Sequence, residues 1–188
     1  MPITFEIRRK LFHMSMSIFP LMYLWLDRKP MLVVMTVVLI LEAFGEFMRL
    51  LSPFMNDLWQ KWFKGLYRQK EVQRLSGLFY AMLAFTICVA FLEKKVAIPS
   101  MLFLSLGDAA SALARMEFNE KAHPKSRISS LACLVVCVVV SIWFLPWPVS
   151  LAGSLTASVI ERASGDWVDD NLVMPVGGGL VMTLMLGA

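Results

Sequence analysis

Long apolar runs separated by short charged segments are the feature that most constrains how this chain can fold. The sequence has 188 residues, of which 58% are hydrophobic and 17% are charged, and its mean hydropathy is +0.66. A soluble domain is nearer to about one-half apolar and about one-quarter charged residues. The composition therefore predicts one integral membrane domain that covers residues 1–188.

The apolar runs predict the fold class. A helix needs about 20 apolar residues to cross a bilayer, and about seven runs approach that length. We therefore predict an all-α, polytopic membrane helix bundle with about seven transmembrane helices. The sixth run is short and rich in Ser, Gly and Thr, which let helices approach closely, so it is a candidate interior helix. The predicted spans are residues 11–26, 31–51, 75–92, 97–114, 128–145, 148–163 and 172–187.

The N-terminal run resembles a secretory signal, because Arg8, Arg9 and Lys10 precede it. No small-residue cleavage site follows, so we interpret it as a retained first helix. The three cysteines lie inside apolar runs, where small buried side chains are the expected interpretation.

Lysine and arginine are distributed unequally between the two sides of the predicted bundle. One side holds only Arg28, Lys29, Lys94 and Lys95, and the other holds the remaining fourteen of the 18 basic residues. The positive-inside rule then places the N-terminus in the cytoplasm and the C-terminus outside, in an inner membrane. The net charge of +4 reflects these loops, so no nucleic-acid partner is expected.

The segment between the second and third runs mixes aromatic and basic residues. Trp59, Trp62 and Phe63 alternate with Lys61 and Lys64. This pattern predicts an amphipathic helix, at about residues 54–68, that lies on the inner membrane face. The predicted topology also places four polar clusters on the cytoplasmic side, where nucleotides and Mg²⁺ are available. These clusters are residues 9–13, 46–74, 108–127 and 161–170.

Acidic residues in two of these clusters are candidates for metal binding. Asp169, Asp170 and Asn171 stand directly before the last apolar run. Adjacent carboxylates suit Mg²⁺, although Asp and Asn also cap helices. Asp108 lies inside an apolar run, where a carboxylate needs a cation, a cationic partner or a water-filled cavity.

Basic residues and hydroxyls near the predicted helix ends are candidates for phosphate binding. One interpretation is a phosphate-binding site at a helix N-terminus, formed by Lys125, Ser126, Arg127 and Ser130. The other is that the two basic residues set the membrane topology and the serines cap the helix. Arg74 is a candidate for bidentate binding to a phosphate, or for a side chain that only extends to the membrane surface.

Glutamates on the second run share a helix face with an arginine. The spacing of Glu46 and Arg49 favours an ion pair between them. Glu42 lies one turn deeper and is expected to face the interior, with no role that the spacing alone decides.

The ordered set of motifs resembles the dolichol kinase and phytol kinase family, which includes CTP-dependent diacylglycerol kinases and short bacterial polyprenol kinase-like proteins. The resemblance covers most of the chain, although no single motif is specific. The motifs are Arg9-Lys10-Leu-Phe-His13, Arg74-Leu-Ser-Gly77, Leu106-Gly107-Asp108-Ala-Ala, Lys125-Ser-Arg-Ile-Ser-Ser130, Glu161, and Asp169-Asp170-Asn171-Leu172 with Pro175.

The resemblance implies an enzyme that transfers a phosphoryl group, usually from CTP, to a lipid alcohol such as a polyprenol, a phytol-like alcohol or diacylglycerol. It departs from the family where Arg115, Asn119 and Ser129 replace expected glycines, which leaves CTP or ATP as the donor. The implied catalytic residues are Asp170, Asp108 and Lys125, and the implied Mg²⁺ ligands are Asp108, Asp169 and Asp170. The implied nucleotide contacts are Lys125, Arg74, Arg127, Ser126, Ser130 and Asn171. Further candidates for the site are His13, Lys10, Glu46 and Glu161.

Two alternatives remain at this stage. A CTP-dependent phosphatidate cytidylyltransferase would use the same metal chemistry, but the extended C-terminal signature of that family is not found here. A non-enzymatic small transporter or lipid-binding protein would use Glu42 and Asp108 as a polar path through the membrane.

Overall fold

The computed structural model describes residues 3–63, 69–117, 127–163 and 169–187. Within these ranges the chain forms helices and contains no strand. The helices are α1 (Ile3–Ser15), α2 (Ile18–Trp25), α3 (Arg28–Leu51), α4 (Pro53–Trp62), a 3-10 turn (Gln69–Gln73), α5 (Gly77–Phe91), α6 (Lys94–Leu102), a π-helical segment (Phe103–Asp108), α7 (Ala109–Glu117), α8 (Arg127–Ser141), α9 (Trp147–Ala163) and α10 (Asp170–Gly187).

The α6 helix, the π-helical segment and α7 run on from one another as a single helix, Lys94–Glu117, at the centre of the bundle. Most of its residues are buried, and α1, α2, α5, α8, α9 and α10 pack around it. The α3 helix packs on α5 and turns an apolar face outward, which includes Val33, Ile40 and Phe44. An outward apolar face of this size suits a surrounding of lipid rather than water.

The prediction of seven transmembrane helices is not supported. Three described helices are long and apolar enough to cross a membrane: Arg28–Leu51, Lys94–Glu117 and Asp170–Gly187. The helices Gly77–Phe91 and Arg127–Ser141 have 15 residues each, which is about 22 Å at the usual rise and less than a bilayer core of about 30 Å. Hydropathy along the sequence does not register where a helix ends, so an apolar run can be a few residues longer than the helix that it forms.

The first predicted span is also interrupted. The turn at Met16 and Ser17 separates α1 from α2. Pro20 follows in the first turn of α2 and has no backbone N–H to donate to Met16, so a continuous helix would lack that hydrogen bond. Ser17 instead donates a hydrogen bond from its hydroxyl to Ser105 of the central helix, with an oxygen separation of 2.9 Å.

The remaining elements resemble their sequence patterns more closely. The α9 helix buries Ser150, Gly153, Ser154 and Ser158 on one face and exposes Val159 on another. The predicted interfacial helix corresponds to α4, which begins after the capping Ser52, ends at Trp62 and contains no buried residue; residues 64–68 lie outside the described part of the chain. The three cysteines, Cys88, Cys133 and Cys137, are buried thiols.

Candidate functional site

Asp108 is held by an ion pair with Lys10 of α1. The Lys10 ammonium donates a hydrogen bond to Oδ2 of Asp108, and the two side chains are 2% and 9% exposed. His13, one turn along α1 from Arg9 and Lys10, places its Nδ1 3.6 Å from the same oxygen. Of the three solutions that the sequence allowed for a buried carboxylate, the structure therefore shows a cationic partner.

The local helix geometry brings Asp108 to this position. The π-helical segment ends at Asp108, and widened turns of this kind are frequent at functional sites. Gly107 lies against neighbouring helices so closely that an added Cβ would be 2.6 Å from Sγ of Cys137 and 3.3 Å from Cε of Met174. Glycine is therefore needed before Asp108 because α8 and α10 both press on this turn.

A second buried carboxylate, Glu161 of α9, contacts the central helix close to Asp108. Its Oε1 accepts a hydrogen bond from the hydroxyl of Ser111 at 2.8 Å, and Ser111 is three residues after Asp108. The Glu161 side chain is 3% exposed, and its Oε2 has no hydrogen-bond partner among the described residues. A buried carboxylate oxygen of this kind is costly unless a ligand satisfies it.

Glu46 and Arg49 form the ion pair that their spacing indicates. Nη2 of Arg49 is 2.6 Å from Oε2 of Glu46, and both side chains are fully enclosed. The same guanidinium donates to the backbone carbonyls of Glu71, Val72 and Arg74. Arg49 therefore fixes the turn that leads into α5. The same Oε2 of Glu46 also accepts a hydrogen bond from the backbone N–H of Ser76 at 3.0 Å.

Asn171 connects the start of α10 with the start of α5. Its side-chain amide donates to Oδ1 of Asp169 at 2.6 Å, and its backbone N–H donates to the same oxygen at 3.0 Å. A Cβ added at Gly77 would lie 2.7 Å from Nδ2 of Asn171 and 3.5 Å from Oε1 of Glu71. Gly77 therefore permits the close approach of Asn171 to the α5 N-terminus.

Two of these contacts join three of the four polar clusters at one end of the bundle: Lys10 contacts Asp108, and Ser111 contacts Glu161. A third contact, between Asn171 and Gly77, joins residues just outside the predicted clusters. A groove on this end is lined by residues of α1, α3, α4, the 3-10 turn and α5. They are Arg9, Phe12, His13, Glu42, Trp59, Phe63, Glu71, Ser76, Gly77 and Leu78.

Other residues singled out from the sequence make no described contact with Asp108 or lie outside the described part of the chain. The side chains of Arg74 and Arg127 are exposed. Ser130 is half-buried, and its carbonyl accepts a hydrogen bond from Ser158. Asp170 is half-buried and is the first residue of α10, which Asp169 caps by accepting from the backbone N–H of Asn171. Lys125 and Ser126 fall within residues 118–126, which lie outside the described ranges.

The carboxylates at this end of the bundle would suit a magnesium ion that keeps part of its water shell. No three His, Cys, Asp or Glu side chains in the described ranges form a group that could hold a metal ion. Mg²⁺ usually keeps several waters and needs one or two protein carboxylates when it arrives with phosphates. Among the described carboxylates at this end, Oε2 of Glu161 is the buried oxygen left without a hydrogen bond, whereas Asp108 is paired with Lys10 and Asp169 accepts from Asn171. Glu161 therefore fits that mode, and the described residues form no preformed cage.

Some of the site was not found from the sequence. Ser111 was not recognised as the partner of Glu161, and the groove formed by Glu71, Trp59 and Phe63 was not anticipated. A small hydroxyl one turn from an intramembrane carboxylate was the available signal for Ser111. The groove had no comparable signal, because it depends on how α4 folds back onto α3.

Comparison with known proteins gives distant relatives. No protein-family profile and no solved structure matches the chain. An uncharacterized protein of Rickettsia prowazekii is 26% identical over 96% of this chain and 94% of its own length. The CTP-dependent diacylglycerol kinase 1 of Saccharomyces cerevisiae is 27% identical over 96% of this chain and 73% of its own length. This distant similarity suggests a lipid kinase, and together with the apolar helices it suggests a membrane protein.

Proposed function

We propose that the protein is a lipid-alcohol kinase that transfers the terminal phosphoryl group of a nucleoside triphosphate, CTP by preference, to a lipid hydroxyl at the cytoplasmic membrane face. The observation that carries the proposal is the convergence of Lys10, Asp108, Glu161 and Asn171 at one end of an apolar helix bundle. The similarity to a CTP-dependent diacylglycerol kinase along almost the whole chain supports the same reaction.

Phosphoryl transfer requires that the two substrates are positioned in line and that the phosphate charge is neutralised, and it requires no covalent intermediate with the protein. The oxygen of the lipid hydroxyl forms a bond to the terminal phosphorus, and the bond from that phosphorus to the bridging oxygen breaks. The hydroxyl proton passes to a carboxylate, for which we propose Asp170, and then to water. The products are a lipid monophosphate and a nucleoside diphosphate.

We assign a role in this reaction to each polar residue of the site. Lys125, Arg74 and Arg127 would neutralise phosphate oxygens, with Ser126, Ser130 and Asn171 as further nucleotide contacts. Lys10 and His13 hold the Asp108 carboxylate in one orientation. When bound, a magnesium ion would supply further charge neutralisation across the donor phosphates, held by Asp108 with Asp169 or Asp170.

The test is a product analysis with the purified protein in detergent or nanodiscs. The protein is incubated with Mg²⁺, with CTP or ATP labelled at the terminal phosphate, and with diacylglycerol, farnesol, phytol or undecaprenol. We expect label in a lipid monophosphate and release of the nucleoside diphosphate. Release of pyrophosphate with formation of a CDP-lipid would instead identify a cytidylyltransferase, and no nucleotide consumption with any alcohol would contradict the proposal.

A further inference from the structure

The groove at the polar end of the bundle is lined by two chemically different sets of side chains. One set is apolar and consists of Phe12, Trp59, Phe63 and Leu78. The ring centroids of Trp59 and Phe63 are 5.5 Å apart, so the two rings form one continuous apolar surface. The groove contains about 570 Å³ of space that no protein atom fills, part of it open to the surroundings. The apolar set favours a ligand that has an apolar part.

The second set of lining residues includes carboxylates. Glu42 and Glu71 both line the groove, and the Ser76 hydroxyl donates to Oε1 of Glu42 at 3.4 Å. Glu46, one turn along α3 from Glu42, is already paired with Arg49. A carboxylate accepts a hydrogen bond from a hydroxyl, whereas it repels a phosphate. The two carboxylates therefore favour the alcohol over the nucleotide, although Arg9 and His13 also reach the groove.

The groove adjoins the residues to which we assign phosphoryl transfer. Arg9 and His13 line it, and His13 also approaches Asp108. Gly77 lines it from the other side and is the residue against which Asn171 packs. A hydroxyl at Glu42 would thus lie in a space bordered by His13, which approaches Asp108, and by Gly77, against which Asn171 packs.

We propose that this groove is the acceptor site, in which a lipid alcohol places its hydroxyl beside Glu42 and Ser76 and its hydrocarbon against Trp59 and Phe63. The proposal rests on the kinase function proposed above and specifies where its lipid substrate binds. Trp59 is held in place by α3, because a Cβ added at Gly45 would lie 3.3 Å from Cζ2 of the indole.

The hydrocarbon tail has a direct route to the bilayer. The α4 helix forms the outer rim of the groove and buries none of its residues. Phe54 on this helix is exposed, and so are Leu50 and Leu51 at the end of α3. A chain that passes beneath α4 therefore leaves the protein along an apolar surface.

Photo-crosslinking tests the binding site independently of turnover. Purified protein in nanodiscs is irradiated with a diacylglycerol or a farnesol that carries a diazirine on its chain, and the adducts are mapped by mass spectrometry. We expect adducts at Phe12, Trp59 or Phe63 that excess unlabelled alcohol removes and CTP without Mg²⁺ does not. Adducts at the exposed Phe44 and Phe47 report ordinary bilayer contact and should persist under competition.

A matched pair of variants on the same helix sharpens this result. Trp59→Ala removes a groove wall, whereas Trp62→Ala removes an exposed ring outside the groove. We expect Trp59→Ala to lower competable cross-linking about 10-fold and Trp62→Ala to leave it unchanged. Competable adducts that map to another face, or equal cross-linking in both variants, would overturn the site.

A kinetic measurement tests the role of the carboxylate. In Glu42→Gln we expect the KM for the lipid alcohol to rise about 10-fold, the value of one hydrogen bond to a charged group, and the KM for CTP to stay within about twofold. A rise in the KM for CTP alone would overturn the assignment. If unlabelled alcohol removes the groove adducts but no alcohol is phosphorylated, the lipid site is supported and the kinase function is contradicted. If an alcohol is phosphorylated but the adducts lie outside the groove, the kinase function is supported and the lipid site is contradicted.

Discussion

The contact between Lys10 and Asp108 joins residues 98 positions apart in the sequence. Both side chains are buried, so each charge has lost most of its hydration. The loss of hydration costs several kcal/mol for each ion and is offset only while the partner is present. The pair consequently fixes α1 against the π-helical segment and, at the same time, depends on that packing.

Separating stability from activity at this pair requires single and double substitutions. Asp108→Asn and Lys10→Met should each lower the free energy of unfolding by about 3 kcal/mol, because each leaves one buried charge without its partner. The double variant should recover to within about 1 kcal/mol of the wild type and should remain inactive. Thermal unfolding in detergent and CTP turnover measure the two effects.

Wild-type stability in both single variants would show that water or another group compensates the remaining charge. Activity in the double variant would remove Asp108 from the proposed mechanism. The double variant therefore serves as the folding control for the single ones.

Gly77 allows a second test at the residue scale. Gly77→Ala would place a methyl group 2.7 Å from the Asn171 amide, which is buried and bonded to Asp169. We expect turnover to fall about 10-fold or more, with a loss of stability of about 1 kcal/mol, since the amide must move. Gly187→Ala is the matched control, because a Cβ there meets no atom within 4 Å. Equal turnover in the two variants would show that the position of Asn171 is not critical.

At the scale of the elements, the sequence patterns predicted most helix bounds to within a few residues. Apolar periodicity and flanking charges sufficed for α5, α9 and α10, whose bounds differ little from the predicted runs. The break between α1 and α2 and the π-helical segment were not predicted, because both depend on contacts with neighbouring helices. Only three of the seven spans are supported for a related reason, since a difference of a few residues decides whether a helix is long enough to cross a membrane.

Contacts across the site were less predictable than the elements. The sequence identified Asp108 as costly to bury but could not choose among its possible partners, because the register of α1 against the central helix is a tertiary property. Glu46 and Arg49 were simpler, since a spacing of three residues on one helix already places them together. Local pairs were therefore predictable from the sequence, and pairs between helices were not.

The close packing of α9 against α10 provides a prediction at this scale. A Cβ at Gly178 would lie 3.0 Å from Cδ2 of Phe103 and 3.4 Å from the carbonyl oxygen of Gly153. Gly178→Leu should therefore force the two helices apart and lower stability by about 3 kcal/mol, measured as a lower unfolding midpoint. Leu180→Ala, at an exposed position two residues away, should change the midpoint little. A stable Gly178→Leu variant would mean that Phe103 rotates away without cost.

At the scale of the whole molecule, the two ends of the bundle differ in chemistry. One end holds the paired carboxylates and cations of the candidate site. At the other end, Arg28 donates to the carbonyl of Val89 at 3.0 Å, and Lys94 donates to the carbonyls of Leu24 and Leu26. These basic residues satisfy helix C-terminal carbonyls, so their positions follow from capping as well as from topology.

The side of the membrane that the candidate site faces decides whether the proposed reaction can occur, because CTP is available only in the cytoplasm. We predict that the end with Glu117 faces the cytoplasm and the end with Lys29 faces outward, as the excess of basic residues indicates. Glu117→Cys and Lys29→Cys place thiols at exposed positions, while the three native cysteines are buried. A membrane-impermeant maleimide should label Lys29→Cys in intact spheroplasts and Glu117→Cys only in inverted vesicles. Labelling of Glu117→Cys in intact spheroplasts would place the site away from its nucleotide, and a CTP-dependent kinase would then be untenable however well the residues are arranged.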